Sequence, residues 1–443
     1  MTGGLVAEIR SRVADQLAEA APRGIHDSDR RALAEELTWQ ALAEEAERAL
    51  AAGRSPLSPE EERELAATVA AHLWGLGGLQ ALVDDPAVEN IDCYGCDTVW
   101  VSYADGTKAR ADPVADSDEE LIEVVRAAAA RLGQHERRFD GAWPELDLRL
   151  PDGSRLSAVM AVTERPVVDI RRHRHADRSL EELVELEMLD SELAAFLTSS
   201  VRARKNILVS GAMNAGKTTL LRALAAAIPP HERIVTIEQA FELGLDRQVD
   251  RHPDCVAMEA RPANVEGVGE ISMARLVRRS LRMNASRVIV GEVLGDEVLP
   301  MLNAMSQGRS GSMATIHADS SAAVFRRLSS YALQAPERLS VDATNQLVAG
   351  AIHLVVHVGT RLTPLASTAR STPGRPEAVR IERFVTSVRE VTDAEGSMVL
   401  SNEIWRPGPD GRAVPGAPIR TELLADLAEV GYEPPLSRMR GNW

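Results

Sequence analysis

What this chain has little of narrows its identity first. Three cysteines among 443 residues cannot build a disulfide framework. Cys93-Tyr-Gly-Cys96 has C-x-x-C spacing, but no second pair completes a zinc site. Its surroundings read as strand and turn, not as the helix N-terminus that activates a redox thiol. No apolar run approaches the ~20 residues that span a bilayer. The first residues, Met1 to Ile9, lack the charged and apolar regions of a secretory signal, so a cytoplasmic protein is expected. Basic residues are outnumbered 50 to 66, a formal net charge of −16. Nucleic-acid binders usually carry a basic footprint, and no direct nucleic-acid partner is expected. Aromatics are only 3%, a bias toward Ala, Arg and Glu that still leaves 44% hydrophobic residues. That fraction fits a globular chain, and the length fits two or three domains.

What is present is sharper. Gly211-Ala-Met-Asn-Ala-Gly216-Lys217-Thr218 is a complete G-x-x-x-x-G-K-T phosphate loop. Asn206 to Ser210 before it reads as a buried strand, and Thr219 to Ala227 after it reads as a helix ended by Pro229-Pro230. Strand, glycine loop and helix are the context this chemistry needs. Glycines let backbone N–H groups converge on phosphates, and the helix N-terminus adds favourable potential. Gly211, Asn214, Ala215, Gly216, Lys217, Thr218 and Thr219 are therefore the expected nucleotide contacts. Lys217 would reach the β- and γ-phosphates and Thr218 would hold Mg²⁺, so the expected cofactors are ATP and Mg²⁺.

The rest of the chain divides by pattern. Residues 1–82 read as a helical extension, with Leu5, Ile9, Val13 and Leu17 on one face. Ser58-Pro59-Glu60-Glu61 reads as a capped helix start. Residues 83–172 alternate like half-buried strands around one helix, a small α+β (PAS-like) domain. A basic linker is expected over 173–185. From 186 to 443, strands alternate with helices, which implies an α/β domain with a mostly parallel sheet, followed by C-terminal helices and a hairpin. Leu362 to Pro376 reads as a Thr/Ser/Pro-rich loop.

Two carboxylates follow apolar strands, where open α/β sheets bind ligand. Glu238 ends Ile234 to Ile237, and Glu292 ends Val288-Ile-Val-Gly, a Walker-B-like element. Either could orient the attacking water, and Glu292 could complete the Mg²⁺ shell. His317 follows the strand Met313 to Ile316 and could sense the γ-phosphate. Arg275, Arg278, Arg279 and Arg282 are spaced for one helix face; Arg278 and Arg282 are candidates for an arginine finger.

These boxes, in this order, resemble the type II/IV secretion ATPases, above all the CpaF-like ATPases of Flp/Tad pilus assembly. The likeness also includes Leu276 to Met283, Ala304 to Gly308, Leu150 to Arg155 and Asp169 to Arg172, and covers about residues 65–405. It implies a homohexamer of a RecA-like P-loop ATPase domain preceded by the smaller domain. Such a ring would work at the inner face of the cell membrane, beneath a polytopic platform protein. The family's arginine near the phosphates matches Arg171; Arg149 and Arg155 are weaker matches. Three departures stand out: Gln239 where aspartate is usual, Leu294 where arginine is usual, and Met213-Asn214-Ala215 in the loop's middle. Rival expectations are a conjugative type IV ATPase, a RecA-like nucleic-acid translocase, and a ring member that binds ATP without turnover.

Overall fold

The structure is a computed structural model in which residues 2–20, 27–103, 107–132, 138–172, 178–263, 267–307, 310–364 and 379–435 are described. The chain forms two compact units, Met1–Arg174 and His175–Trp443.

The first unit opens with three helices, α1 (Thr2–Ala20), α2 (Asp27–Ala51) and α3 (Pro59–Trp74). Ile9, Val13 and Leu17 pack with Ala34, Leu42, Leu65 and Val69 in a core of their own. The start of α3 is locally encoded. Ser58 accepts from the Glu61 N–H, and the Glu61 carboxylate accepts from the Ser58 N–H. Next come α4 (Leu79–Asp84), β1 (Val88–Tyr94), β2 (Thr98–Tyr103), β3 (Lys108–Ala111), α5 (Asp118–Leu132), β4 (Glu145–Arg149), β5 (Arg155–Val159) and β6 (Val167–Arg171). The strands form an antiparallel sheet ordered β3-β2-β1-β6-β5-β4. Leu76, Leu79 and Val83 belong to this sheet's core. The α+β layer thus begins several residues before the expected boundary at 82/83, because α4 buries its apolar face there.

The second unit contains α6 (Leu180–Glu185), α7 (Ser191–Arg202), β7 (Ile207–Gly211), α8 (Lys217–Ala225), β8 (Ile234–Glu238), β9 (Cys255–Glu259), α9 (Met273–Ser280), β10 (Arg287–Val293), α10 (Val298–Ser306), β11 (Met313–His317), α11 (Ala323–Gln334), α12 (Val341–Ala351), β12 (Leu354–Pro364), β13 (Val379–Glu395), β14 (Met398–Pro407), β15 (Ala413–Pro415) and α13 (Thr421–Ala428). Residues 173–177 of the expected linker lie outside the described residues. Its later part is not linker: Leu180 and Leu183 of α6 are buried in the core. The expected 362–376 loop lies mostly outside the described residues.

The nine strands form one sheet ordered β15-β14-β13-β12-β7-β11-β10-β8-β9. The six strands β12-β7-β11-β10-β8-β9 run parallel, and β13 to β15 add an antiparallel edge. Every residue of β7 and β8 is buried, as expected of strands covered on both faces. One face packs against α6, α7, α8 and α13, the other against α9 to α12. This is a RecA-like α/β fold. β7 lies between β11 and β12 rather than beside β8, so chain order reverses there. That switch opens the crevice where such sheets take ligands.

Candidate functional site

At the C-terminal end of β7 the chain turns through the glycine loop into α8. Gly216 takes a left-handed conformation, φ 96°, at the helix N-cap. A Cβ on Gly211 would lie 2.5 Å from the Val358 carbonyl oxygen, so only glycine lets β7 and β12 approach here. Asn214 is also left-handed, φ 58°, which asparagine tolerates better than most residues. Ala215 is buried, Thr218 is half-buried, and Asn214 and Thr219 are exposed.

Lys217 is the first residue of α8, and its side chain is 8% exposed. Its Nζ donates to the Ala212 carbonyl at 3.0 Å and lies 3.0 Å from His317 Nδ1. Glu292 Oε1 is 3.9 Å from Lys217 Nζ and 2.6 Å from His317 Nε2. Three sequence-predicted residues from α8, β10 and β11 therefore converge at the loop. The Thr315 hydroxyl donates to the Gly291 carbonyl at 2.6 Å, at the irregularity of β10 that carries Glu292. An ammonium held mostly by acceptors at the mouth of a backbone-lined loop fits a phosphate chain.

Glu238 is placed differently. It is buried at the end of β8, where one carboxylate oxygen accepts the N–H groups of Glu242 and Leu243, both at 2.7 Å. Burial pushes its carboxyl up to about 7 against the pull of those two N–H groups. Its Cγ lies 3.1 Å from where a Cβ on Gly291 would sit, so it packs behind the residue that precedes Glu292.

The arginines divide too. Arg275, Arg278 and Arg279 are exposed on α9, but α9 ends at Ser280, so Arg282 does not share its face. The break follows from Asn284 turning left-handed and from the Arg282 N–H bonding back to Arg279. Arg278 pairs with Glu337 at 3.3 Å. In the first unit, antiparallel register places Arg171 opposite Arg155, and Arg155 opposite Arg149. Three arginines thus line up across β6, β5 and β4.

Sequence reasoning missed two histidines that bracket the loop strand, His353 just before β12 and His357 on it. His353 Nδ1 accepts the Asn206 N–H at 3.0 Å, and His357 Nδ1 lies 2.9 Å from the Ser210 hydroxyl. Burial lowers both to about 4. Two histidines four apart on an apolar strand were the available signal. Asn206 itself is buried, with its side chain bonded to Met305, Ala351 and Ser312. Cys93 and Cys96 are buried, and burial raises the Cys93 thiol to about 12, which suits an inert core thiol.

Among the described residues no group of three or more His, Cys, Asp or Glu is arranged to hold a metal. A Mg²⁺ ion here would draw on nucleotide oxygens with Thr218 and Glu292, and those two residues fit that shared role. No helix among the described residues is long and apolar enough to cross a membrane.

Known proteins resemble this chain along most of its length. The family described as "Type II/IV secretion system protein" matches residues 75–398. A putative conjugal transfer protein of Mycobacterium tuberculosis H37Rv is 36% identical over 323 residues, 70% of this chain and 88% of that protein. The type IV secretion system protein PtlH of Bordetella pertussis is 37% identical over 168 residues, 38% of this chain and 48% of that protein. Among solved structures, the Legionella pneumophila ATPase DotB aligns over 71% of this chain and 79% of its own, at 16% identity and TM-score 0.48. The sequence resemblance to CpaF-like pilus ATPases is matched at the coarser level, the relatives being named for conjugal transfer and type IV secretion. The chain belongs to the type II/IV secretion system ATPase family.

Proposed function

We propose that this protein is a Mg²⁺-dependent ATPase that works as a homohexamer at the inner face of the cell membrane. Its turnover would power pilus assembly or protein secretion through a polytopic platform protein. The convergence of Lys217, His317 and Glu292 at the glycine loop carries this reading.

Thr218 and Glu292 are the residues that would hold Mg²⁺, which would supply positive charge to neutralise charge developing in phosphoryl transfer. The chain's own residues do the rest. Backbone N–H groups from Gly211 to Thr218 cradle the phosphates, and α8 directs its N-terminus at them. Lys217 exchanges its contact with Glu292 for the β- and γ-phosphates. Freed, Glu292 orients the attacking water and accepts its proton, and Thr218 would help to hold the metal. His317, bonded to both partners, reports whether Lys217 is engaged with nucleotide. Glu238 holds the turn behind Gly291 and acts on Glu292 through it. Arg278 and Arg282 are the arginines proposed to reach a neighbour's nucleotide, and Arg171 is proposed as the match to the family's arginine near the phosphates.

The test is ATP hydrolysis by the full chain with Mg²⁺, with and without DNA, beside Lys217→Ala and Glu292→Ala. Activity that is DNA-independent, rises as hexamers form and vanishes in both variants supports the proposal. Activity that requires DNA would replace it with a translocase. Binding without turnover in assembled rings would replace it with a regulatory ring member. The names of the relatives favour one second reading, a conjugative type IV secretion ATPase, in which the same hydrolysis serves conjugal transfer.

A further inference from the structure

We propose that Arg383, on the C-terminal hairpin, is a positioning residue for the phosphate loop and sets the affinity of this site for nucleoside di- and triphosphates. The inference rests on the ATP-binding reading above.

A phosphate loop turns its N–H groups inward, so its carbonyls must face outward and find other donors. The middle of this loop is not glycine-rich: Asn214 holds a left-handed backbone that a non-glycine residue adopts at a cost. Its carbonyl accepts from Arg383 Nε at 2.9 Å, across 169 residues of chain. Arg383 Cδ and Met188 Cε each lie 3.5 Å from where a Cβ on Gly216 would sit, so the loop is held from two sides. The hairpin strand that carries Arg383 is itself anchored. The Val385 N–H donates to the Met188 carbonyl at 2.8 Å, and Arg412 donates to the Glu187 carbonyl. The Phe384 ring lies under two guanidinium groups, Arg361 at 5.5 Å and Arg412 at 4.9 Å. Arg383 is exposed, and no hydrogen bond from its Nη atoms to the described residues is found. It thus has no evident structural duty besides the loop.

The bond constrains the segment between Ala212 and Gly216 in the shape that gathers its N–H groups, and it sets a positive charge on the side that the loop's carbonyls face. Both effects act at the β-phosphate, which ATP and ADP share and AMP lacks. Neither touches the attack on the γ-phosphate, so affinity changes while turnover does not.

Fluorescent ATP, ADP and AMP analogues titrated into the full chain test this, beside Arg383→Ala, Arg383→Lys and Lys217→Ala. Arg383→Ala is expected to weaken ATP and ADP about tenfold alike, to leave AMP unchanged, and to raise KM with kcat held. Its melting temperature without nucleotide is expected to match the parent's. Arg383→Lys, which can still donate to the Asn214 carbonyl, is expected to recover most of the loss. Unchanged affinity in Arg383→Ala would overturn the inference alone. So would a loss confined to ATP, which would mean direct contact with the γ-phosphate, or a lysine variant as weak as alanine. Failure of the parent chain to bind ATP more tightly than Lys217→Ala would overturn the ATP reading itself.

Discussion

Glu238 and Glu292 lie near the C-terminal ends of neighbouring parallel strands, one register position apart, yet they live in different chemistry. Glu292 is a third exposed, bonded to His317, and within 3.9 Å of the loop lysine. Glu238 is buried, spends one oxygen on two backbone N–H groups, and faces Gly291 rather than Lys217. The difference teaches that a carboxylate at a strand's end is placed by topology but assigned its task by its neighbours. β11 stands between β7 and β10 and brings His317 to Glu292. Among the described residues nothing comparable joins β8 to the loop.

Substitutions at the two ends should separate by orders of magnitude. Glu292→Gln is expected to lower kcat about 10²- to 10⁴-fold while nucleotide binding persists, since a positioned base is lost and charge on Lys217 is relieved. If Glu238→Gln were the more damaging of the two, the comparison would be inverted. His317→Asn removes one bond to each charged partner and is expected to cost about 10- to 100-fold in kcat/KM. Steady-state kinetics on the three variants ranks them directly.

A smaller effect probes the wall between the two carboxylates. The added methyl of Gly291→Ala would press on Glu238 Cγ at 3.1 Å, and a loss of about 1 kcal/mol is expected from urea unfolding. The same substitution combined with Glu238→Ala should restore stability if that contact is the cause.

The last effect is a slope. Folding raises the Glu238 carboxyl from 4.5 to about 7, so the folded state holds a proton that the unfolded chain releases. That contribution to stability is complete below about 4.5 and is lost as pH rises toward about 7. Glu238→Gln cannot ionise. Its unfolding midpoint relative to the parent is therefore expected to climb between pH 4.5 and 7 and to level off above. His353 and His357 have the opposite sign, since their depressed values add stability that fades from 6.5 toward 4 as pH falls. They are present in both proteins and cancel in the difference. A flat difference would show that Glu238 titrates as an ordinary carboxylate.

How much of this was legible in the sequence follows from how local each feature is. Gly211 to Thr218, the continuous apolar runs of β7 and β8 and the Ser58 cap are written in adjacent residues, and the structure shows each of those elements. The strand-end position of Glu238 was equally visible, but its bonds to Glu242 and Leu243 depend on a turn that has no periodicity. Arg282 was assigned to one helix face because spacing alone does not show where a helix stops. Arg383 left no trace, and His357 showed only its spacing from His353, because their partners, Asn214 and Ser210, lie 169 and 147 residues away. Contacts across that distance are settled by which strands become neighbours, and only the assembled sheet decides that.

The pairing of β12 has a mechanical meaning. One edge of it hydrogen-bonds in parallel to the loop strand, from Leu354 opposite Ile207 to Val358 opposite Gly211. The other edge pairs antiparallel with β13 from Leu354 to Pro364. Tension applied along the hairpin would load these bonds in shear, so that they share the force rather than open one by one. Val358 thus stands between Gly211 on one side and Val385 on the other, so a displacement of β13 would be passed through β12 to the loop.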